Sequence, residues 1–356
     1  MRIFPTIATM LCCVASTHAT DDADSMIVLK KVPKFGAPNA TISGRVSGVA
    51  PADYKVAAFI GLDQAFYSKP TYVKPNTALS KNGGFTCDIT TGPNDPFAQK
   101  VVAFVVPKTF AIQPAMGLAQ FPQDLLAIAK AHIEVDRYAR TVSFSKNKLN
   151  VKSGLATLGP GPNYFSASKA NVFIDSSKAL HLAIVKDTQG KWQCAEVVSE
   201  KPVGYGTYRF TVAGASIQSL NENAVFGLFT YDDTIDADPA NHSELDFEFS
   251  RWGNSSDVNN AQFVVQPFNL SGHLTRFLAD QSGDIDLEMT WTPTEVDFTA
   301  SSGAQVLMKW SYTGSDIPTP GKARLHLNLW LFNGAAPSDG KKQEVIVREL
   351  KYAPIK

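Results

Sequence analysis

The chain has 356 residues, 44% of them hydrophobic, which suits two folded domains better than one. Its 33 basic and 33 acidic residues balance to zero net charge, which argues against nucleic acid or an anionic membrane surface as partner. A neutral polymer such as a polysaccharide is compatible with that balance.

At the N-terminus, Arg2 supplies a positive start, and residues 7–15 form a short, mostly apolar run. Thr17-His18-Ala19 places small residues where a signal peptidase cuts, so residues 1–19 read as a secretory signal peptide. The run is too short to span a bilayer. No later segment approaches 18 consecutive apolar residues, so a soluble, secreted mature protein is expected. Cys12 and Cys13 fall within the signal, leaving Cys87 and Cys194. Two cysteines are too few for a disulfide framework and are consistent with one bridge or with two thiols.

Residues 27–146 read as an accessory β-sandwich-like domain. Apolar runs at 41–46, 54–60, 85–89 and 101–106 are separated by Gly, Pro, Asn and Asp, as strands are. Asn82-Gly83-Gly84 has the composition of a hairpin turn. Between 121 and 133 the period changes: Pro122 suits a first helical position, and Leu125, Ile128, Ala129 and His132 share one face, predicting one helix. A closing strand is expected at 140–145. Residues 66–72, Phe-Tyr-Ser-Lys-Pro-Thr-Tyr, set aromatics beside Lys and Pro, as in a sugar-binding groove or a packed loop.

Residues 146–153 read as the linker to a second domain at 154–356. Strand signals recur there at 171–174, 179–185, 208–212, 224–231, 243–250, 262–267, 284–290, 295–299, 324–331 and 343–352. Their number predicts an all-β, two-sheet β-jelly roll of the concanavalin A-like kind. All five tryptophans lie in this half, where indole faces can stack on sugar rings or fill the core.

The most informative segment is Ser243-Glu-Leu-Asp-Phe-Glu-Phe249. On a strand, Glu244, Asp246 and Glu248 point one way and Leu245, Phe247 and Phe249 the other. The apolar face can enter a core. Three like charges cannot be buried cheaply and must meet water, a metal or a substrate. Retaining glycoside cleavage uses such a set, with one ionised and one protonated carboxyl roughly 5–5.5 Å apart. The α-carbons of Glu244 and Glu248 are roughly 13 Å apart on an extended strand, and two long side chains on a curved strand close much of that gap. Asp246 between them would raise one Glu pKa. The competing reading is an acidic, solvent-facing strand of an antiparallel sheet.

Several segments, in order, carry a family likeness. Gly159-Pro-Gly-Pro-Asn163, Tyr205-Gly-Thr-Tyr-Arg209, Phe226-Gly-Leu-Phe-Thr-Tyr231, Glu244-Leu-Asp-Phe-Glu248 and Leu327-Asn-Leu-Trp-Leu331 together resemble glycoside hydrolase family 16, the jelly-roll group of β-glucanases, lichenases and xyloglucan-modifying enzymes. The resemblance implies Glu244 as nucleophile, Glu248 as acid/base and Asp246 as their assistant. It also implies Asn328 and Trp330 near the subsite of bond cleavage, with Tyr231 and Trp252 as subsite walls. Trp291-Thr-Pro293 matches the family's Trp-x-Pro segment, but the His-x-Tyr upstream is replaced by residues 284–289. The Tyr-Val-Asp-Gly turn that follows is replaced by residues 298–303.

Other chemistry is absent or ambiguous. There is no Gly-x-Ser-x-Gly elbow, phosphate-binding loop or Rossmann fingerprint. Asp232, Asp233, Asp236 and Asp238 crowd one loop, either as an acidic surface or as Ca²⁺ ligands. No cofactor is expected, although the resemblance is compatible with a structural Ca²⁺. His242 is either a subsite contact or a surface histidine. The expected function is a secreted, monomeric, retaining endo-glycosidase or transglycosylase acting on a β-linked polysaccharide. A non-catalytic, lectin-like carbohydrate-binding protein on the same fold is the alternative.

Overall fold

The computed structural model describes residues 26–63, 65–233 and 242–355. The expected signal peptide, Asp236 and Asp238 lie outside the described residues. The chain divides into two compact units, Met1–Arg137 and Tyr138–Lys356. Among the described residues, no helix is long and apolar enough to cross a membrane.

The first unit holds two antiparallel sheets. One has Thr41–Val46 between Ile27–Lys31 and Gly84–Asp88. The other runs Met116–Leu118, Ala65–Lys69, Tyr54–Leu62, Lys100–Pro107, Ala131–Asp136, with Thr77–Ala78 added to Tyr54–Leu62. The central strand Tyr54–Leu62 reads as a near-continuous apolar run because both its faces are buried. Val56, Ala58 and Ile60 enter one core with Ile42, Phe85 and Val101. Ala57 and Phe59 enter a second with Phe104 and Leu125.

Three expectations for this half are refined. The helix is only Gln123–Ile128, because the chain turns at Ala129 and continues as the strand Ala131–Asp136 beside Lys100–Pro107. The expected turn at Gly83, whose φ is +81°, is present: Ser80 donates its N–H to the Gly84 carbonyl and accepts from the Gly83 N–H, both at 2.8 Å, but the flanking strands do not pair with each other. It carries the chain from one sheet to the other, and a Cβ at Gly83 would stand 2.1 Å from the Val46 carbonyl oxygen. The aromatic segment at 66–72 begins as the strand Ala65–Lys69, whose buried Lys69 is paired with Asp95. Phe66 packs with Phe121, 4.2 Å between ring centroids.

The strand Arg140–Phe144 belongs to the second unit, not the first. It pairs with Asn147–Val151, which occupies the expected linker, and that strand pairs with Trp192–Pro202. Burial explains the reassignment: Val142, Phe144, Leu149 and Val151 all sit in the core of the second unit. The chain stays extended there because every other side chain has an apolar destination.

The second unit is one long curled antiparallel ribbon whose two halves enclose that core. Its first half runs Leu274–Phe277, Ala261–Val265, Leu245–Phe249, Ala224–Tyr231, Arg324–Leu331, Trp192–Pro202. Through Leu180–Lys186 it continues into Gln343–Pro354, Gly206–Ala213, Asp284–Trp291, Val296–Ser302 and Gln305–Tyr312. Aromatic contacts join the halves: Phe247 meets Phe210 at 5.9 Å and Phe298 at 5.3 Å, and Phe263 stacks on Phe298 at 5.2 Å. The architecture is all-β, as the strand count predicts, with the jelly-roll arrangement of two facing sheet halves. Cys87 and Cys194 are free thiols, each buried in the core of its own unit.

Candidate active site

The acid strand Leu245–Phe249 alternates as its sequence requires. Leu245, Phe247 and Phe249 enter the core, and the acids occupy the opposite face. Pairing is regular on both sides, Leu245–Phe249 lying against Val265–Ala261 and against Thr230–Phe226 without a shift in register.

Entry into this strand is fixed by a buried hydroxyl. Thr230 donates to the Ser243 carbonyl at 2.7 Å and accepts from the Leu245 N–H at 3.2 Å. Ser243 in turn donates to the Thr319 carbonyl at 2.6 Å. His242 and Ser243 both have positive φ, 48° and 55°, so the chain reaches Glu244 through a tight bend held by these bonds. Asp232 is part of the same hold: its backbone N–H donates to the His242 carbonyl, and its carboxylate accepts from the Lys322 N–H at 2.7 Å. A Cβ at Gly321, φ +54°, would lie 2.5 Å from that carboxylate, so glycine is needed there.

Directly opposed residues of neighbouring strands share a face. Glu248 therefore stands beside Gly227 and Gln262, and Gly227 beside Asn328. Asp246 stands beside Phe229, which faces His326. A Cβ at Gly227 would lie 2.7 Å from the Asn328 Oδ1, so the glycine leaves room between the acid strand and Asn328. Asn328 is 2% exposed, and its Oδ1 has no hydrogen-bond partner. A buried acceptor left open costs free energy until a donor reaches it.

The sequence-predicted aromatics flank this centre. Tyr231 stacks on His242 at 4.8 Å and meets His326 edge-on at 5.8 Å. Trp252, with φ +52°, sets its ring edge-on to Trp330 at 6.1 Å and to Phe332 at 5.4 Å. Trp330 is 9% exposed and packs within the core of the second unit, so it offers no open platform, while Trp252 and Tyr231 are half-buried. Glu244, Asp246, Glu248, Tyr231, Trp252, Asn328 and Trp330 thus gather on one face of one sheet half.

Burial dominates the electrostatics. Asp246 is 3% exposed, where the bare sequence pattern left it facing water or substrate. Burial pushes Glu244 up to about 8, helped by the charge of Glu248 and opposed by a hydrogen bond with Asp246. Asp246 is raised well above the usual carboxylate range by burial and by Glu244 and Glu248, against a bond accepted from Gln266 at 3.2 Å. Burial raises Glu248 to about 7, against a bond accepted from the Gln262 amide at 2.7 Å and the nearby Arg276. The three carboxyls interact closely enough that their titrations belong to the set rather than to any one of them. The overall push on Glu244 exceeds that on Glu248 and by itself would place a proton on Glu244. The bond from Asp246 is local and directional, with Asp246 as donor, and it favours the anion at Glu244.

Sequence reasoning missed a second polar group on the same face. Glu196, on Trp192–Pro202, lies opposite Asn328 and is 2% exposed. Its carboxylate accepts from Lys152 at 2.8 Å and meets His326 Nδ1 at 2.9 Å. Burial raises its pKa, but Lys152 and His326 outweigh burial and hold it below the usual range. The available signal was a lone acid inside the apolar run Cys194-Ala-Glu-Val-Val198, whose strand was not anticipated. Among the described residues, no group of three His, Cys, Asp or Glu side chains is arranged to hold a metal ion.

No family model and no curated protein matches the chain. Solved structures do resemble it. The β-glucanase of Bacillus licheniformis is 20% identical over 58% of this chain and 92% of its own, with a TM-score of 0.46. A prokaryotic β-1,3-1,4-glucanase (lichenase) from a mouse hindgut metagenome is 22% identical, covering 58% of this chain and 93% of that one, with a TM-score of 0.43. An immunostimulatory antigen and pseudo β-1,3-glucanase of Mycobacterium tuberculosis is 19% identical, covering 58% and 91%, with a TM-score of 0.45. These are partial likenesses at low identity, and the roles of residues here rest on the geometry of this chain.

Proposed function

We propose that the protein is a secreted retaining endo-glycosidase or transglycosylase acting on a β-linked polysaccharide. The observation that carries this reading is the placement of three desolvated carboxyls on one strand face, with the central one hydrogen-bonded to Glu244. Glu244 attacks the anomeric carbon as its carboxylate while Glu248 gives its proton to the departing glycosidic oxygen. The covalent glycosyl ester on Glu244 is then opened by water or by an acceptor hydroxyl, whose proton returns to Glu248. Asp246 stays protonated and donates to Glu244, limiting the repulsion that three charges would create. The open Oδ1 of Asn328 accepts a sugar hydroxyl, and Tyr231 and Trp252, backed by Trp330, line the sugar rings. These side chains suffice for the chemistry without a cofactor, and the protein works as a monomer. Export through the N-terminal segment would place it outside the cell with its polymer.

The test is incubation of the purified protein and its Glu244→Gln variant with β-glucans, xyloglucan and galactans, following new reducing ends and product sizes. We expect cleavage or chain exchange by the wild type on at least one polymer. The variant should lose at least about a thousandfold in rate while still binding. Retained binding with no product from the wild type on any polymer would instead assign the face to carbohydrate binding.

A further inference from the structure

Two polar side chains stand beside Glu248 on the carboxyl face, Gln262 and then Arg276 on the neighbouring strands. Gln262 presents its amide to Glu248, and the orientation of that amide is fixed by its surroundings. The carbonyl Oε1 accepts from Arg276 Nη1 at 2.7 Å and from Trp252 Nε1 at 3.2 Å, while Nε2 donates to Glu248 Oε2 at 2.7 Å. Turning the amide over would set an NH₂ against two N–H donors and a carbonyl against a carboxylate. Arg276 is itself held by four acceptors. Besides Gln262 it meets Asp257 at 2.8 Å and the carbonyls of Asn259 at 2.7 Å and Ser250 at 3.3 Å. All of these belong to the loop and strand that follow the acid strand.

The groups facing Glu248 can be named strand by strand. Asp246 and Glu244 lie on its own strand, Gly227 opposes it on one side with Asn328 beyond, and Gln262 opposes it on the other with Arg276 beyond. The one cation in this set is Arg276. A group that must first give a proton and later take one works best when neither form is locked in. Burial holds the proton on; a fixed donor and a cation loosen it.

We infer that Arg276, acting through the fixed amide of Gln262, is a positioning residue that keeps Glu248 exchangeable between its acid and base forms. The inference rests on the glycosidase reading for its purpose, but not for its test. Arg276 also staples the loop at 250–260, so a purely structural role must be told apart.

The experiment compares Arg276→Met, Arg276→Lys and Asp257→Asn with the wild-type protein in two measurements. One is the carboxyl carbon titration of Glu248 by ¹³C NMR, assigned with Glu248→Gln, which requires no turnover. The other is the pH dependence of kcat/KM on whichever polymer is cleaved. Arg276→Met removes the cation and should move the Glu248 titration, and the alkaline limb with it, upward by roughly one pH unit. Arg276→Lys should restore most of that shift. Asp257→Asn weakens the same staple but removes an anion, so it should move the titration slightly downward. Opposite shifts from two variants that loosen the same loop support the inference. An unmoved titration in Arg276→Met, or equal shifts in both variants alongside a matching loss of thermal stability, would overturn it. If no polymer is cleaved by the wild type, the glycosidase reading fails while the NMR titration still decides the inference.

Discussion

At the residue scale, burial of the acidic triplet costs stability as pH rises. Glu244 and Glu248 have folded pKa values pushed to about 8 and about 7, above the ordinary carboxylate value near 4.5. A carboxyl raised in this way contributes fully below its unfolded pKa and loses that contribution as pH rises through the folded value. The fold should therefore weaken between about pH 4.5 and pH 8 on account of this face. Replacing Glu248 by Gln removes a charge that ionises late and at a cost. Glu248→Gln should leave the thermal midpoint nearly unchanged at pH 4.5 and stabilise the protein by roughly 2 kcal/mol at pH 8.5, while abolishing turnover. Thermal unfolding of both proteins across that range checks the sign. An equal effect at both pH values would mean that the carboxyl is not ionising inside the fold.

At the element scale, the acid strand is positioned by the bend that feeds it. Thr230 satisfies both the Ser243 carbonyl and the Leu245 N–H from a fully buried hydroxyl. Thr230→Val keeps the shape and removes both bonds, leaving two buried backbone groups open. The expected cost is about 2 kcal/mol in chemical denaturation, with a fall in kcat as Glu244 loses its fixed approach. Thr230→Ser, which restores the hydroxyl, should recover most of the kcat. This bend was hidden in the sequence. The alternation of Glu244–Glu248 announced a two-faced strand, but Thr230 is an ordinary β-branched residue in the preceding run. The strand Trp192–Pro202 was hidden for a related reason: its residues 194–199 are buried on both faces, so no alternation marks it, and Glu196 breaks the apolar run. Its meaning appears only when His326 and Lys152 arrive from distant parts of the chain.

At the scale of the whole molecule, the boundary between the units makes a sharp prediction. Composition suggested a linker at 146–153, whereas Arg140–Phe144 and Asn147–Val151 form a paired ladder that extends the second unit's sheet. A chain beginning at residue 138 should express as a folded, cooperatively melting protein. One beginning at residue 154 strips four buried apolar side chains from the core and exposes the edge of Trp192–Pro202, so it should aggregate or melt at markedly lower temperature. Equal stability of the two shortened proteins would place the boundary where composition put it.

Much was determined by sequence alone. The all-β class, most strands of the second unit and the two faces of Ser243-Glu-Leu-Asp-Phe-Glu-Phe249 follow from a period of two in hydrophobicity, which is a local property of the chain. The gathering of Glu244, Asp246, Glu248, Asn328, Trp330, Tyr231 and Trp252 was approached through family likeness; strand register sets Asp246, Glu248, Asn328, Trp330 and Tyr231 on one face, and hydrogen bonds to Asp246 and Gln262 bring in Glu244 and Trp252. Tertiary structure decided the rest. It ended the helix near Ile128 because the next residues complete a sheet, and it gave Arg140–Val151 to the second unit because the apolar partners lie there. It also set the depth of burial of the three carboxyls and placed the amide and guanidinium beside Glu248. Desolvation and hydrogen bonding depend on which distant strands stand beside a residue, and no local period in the sequence encodes that.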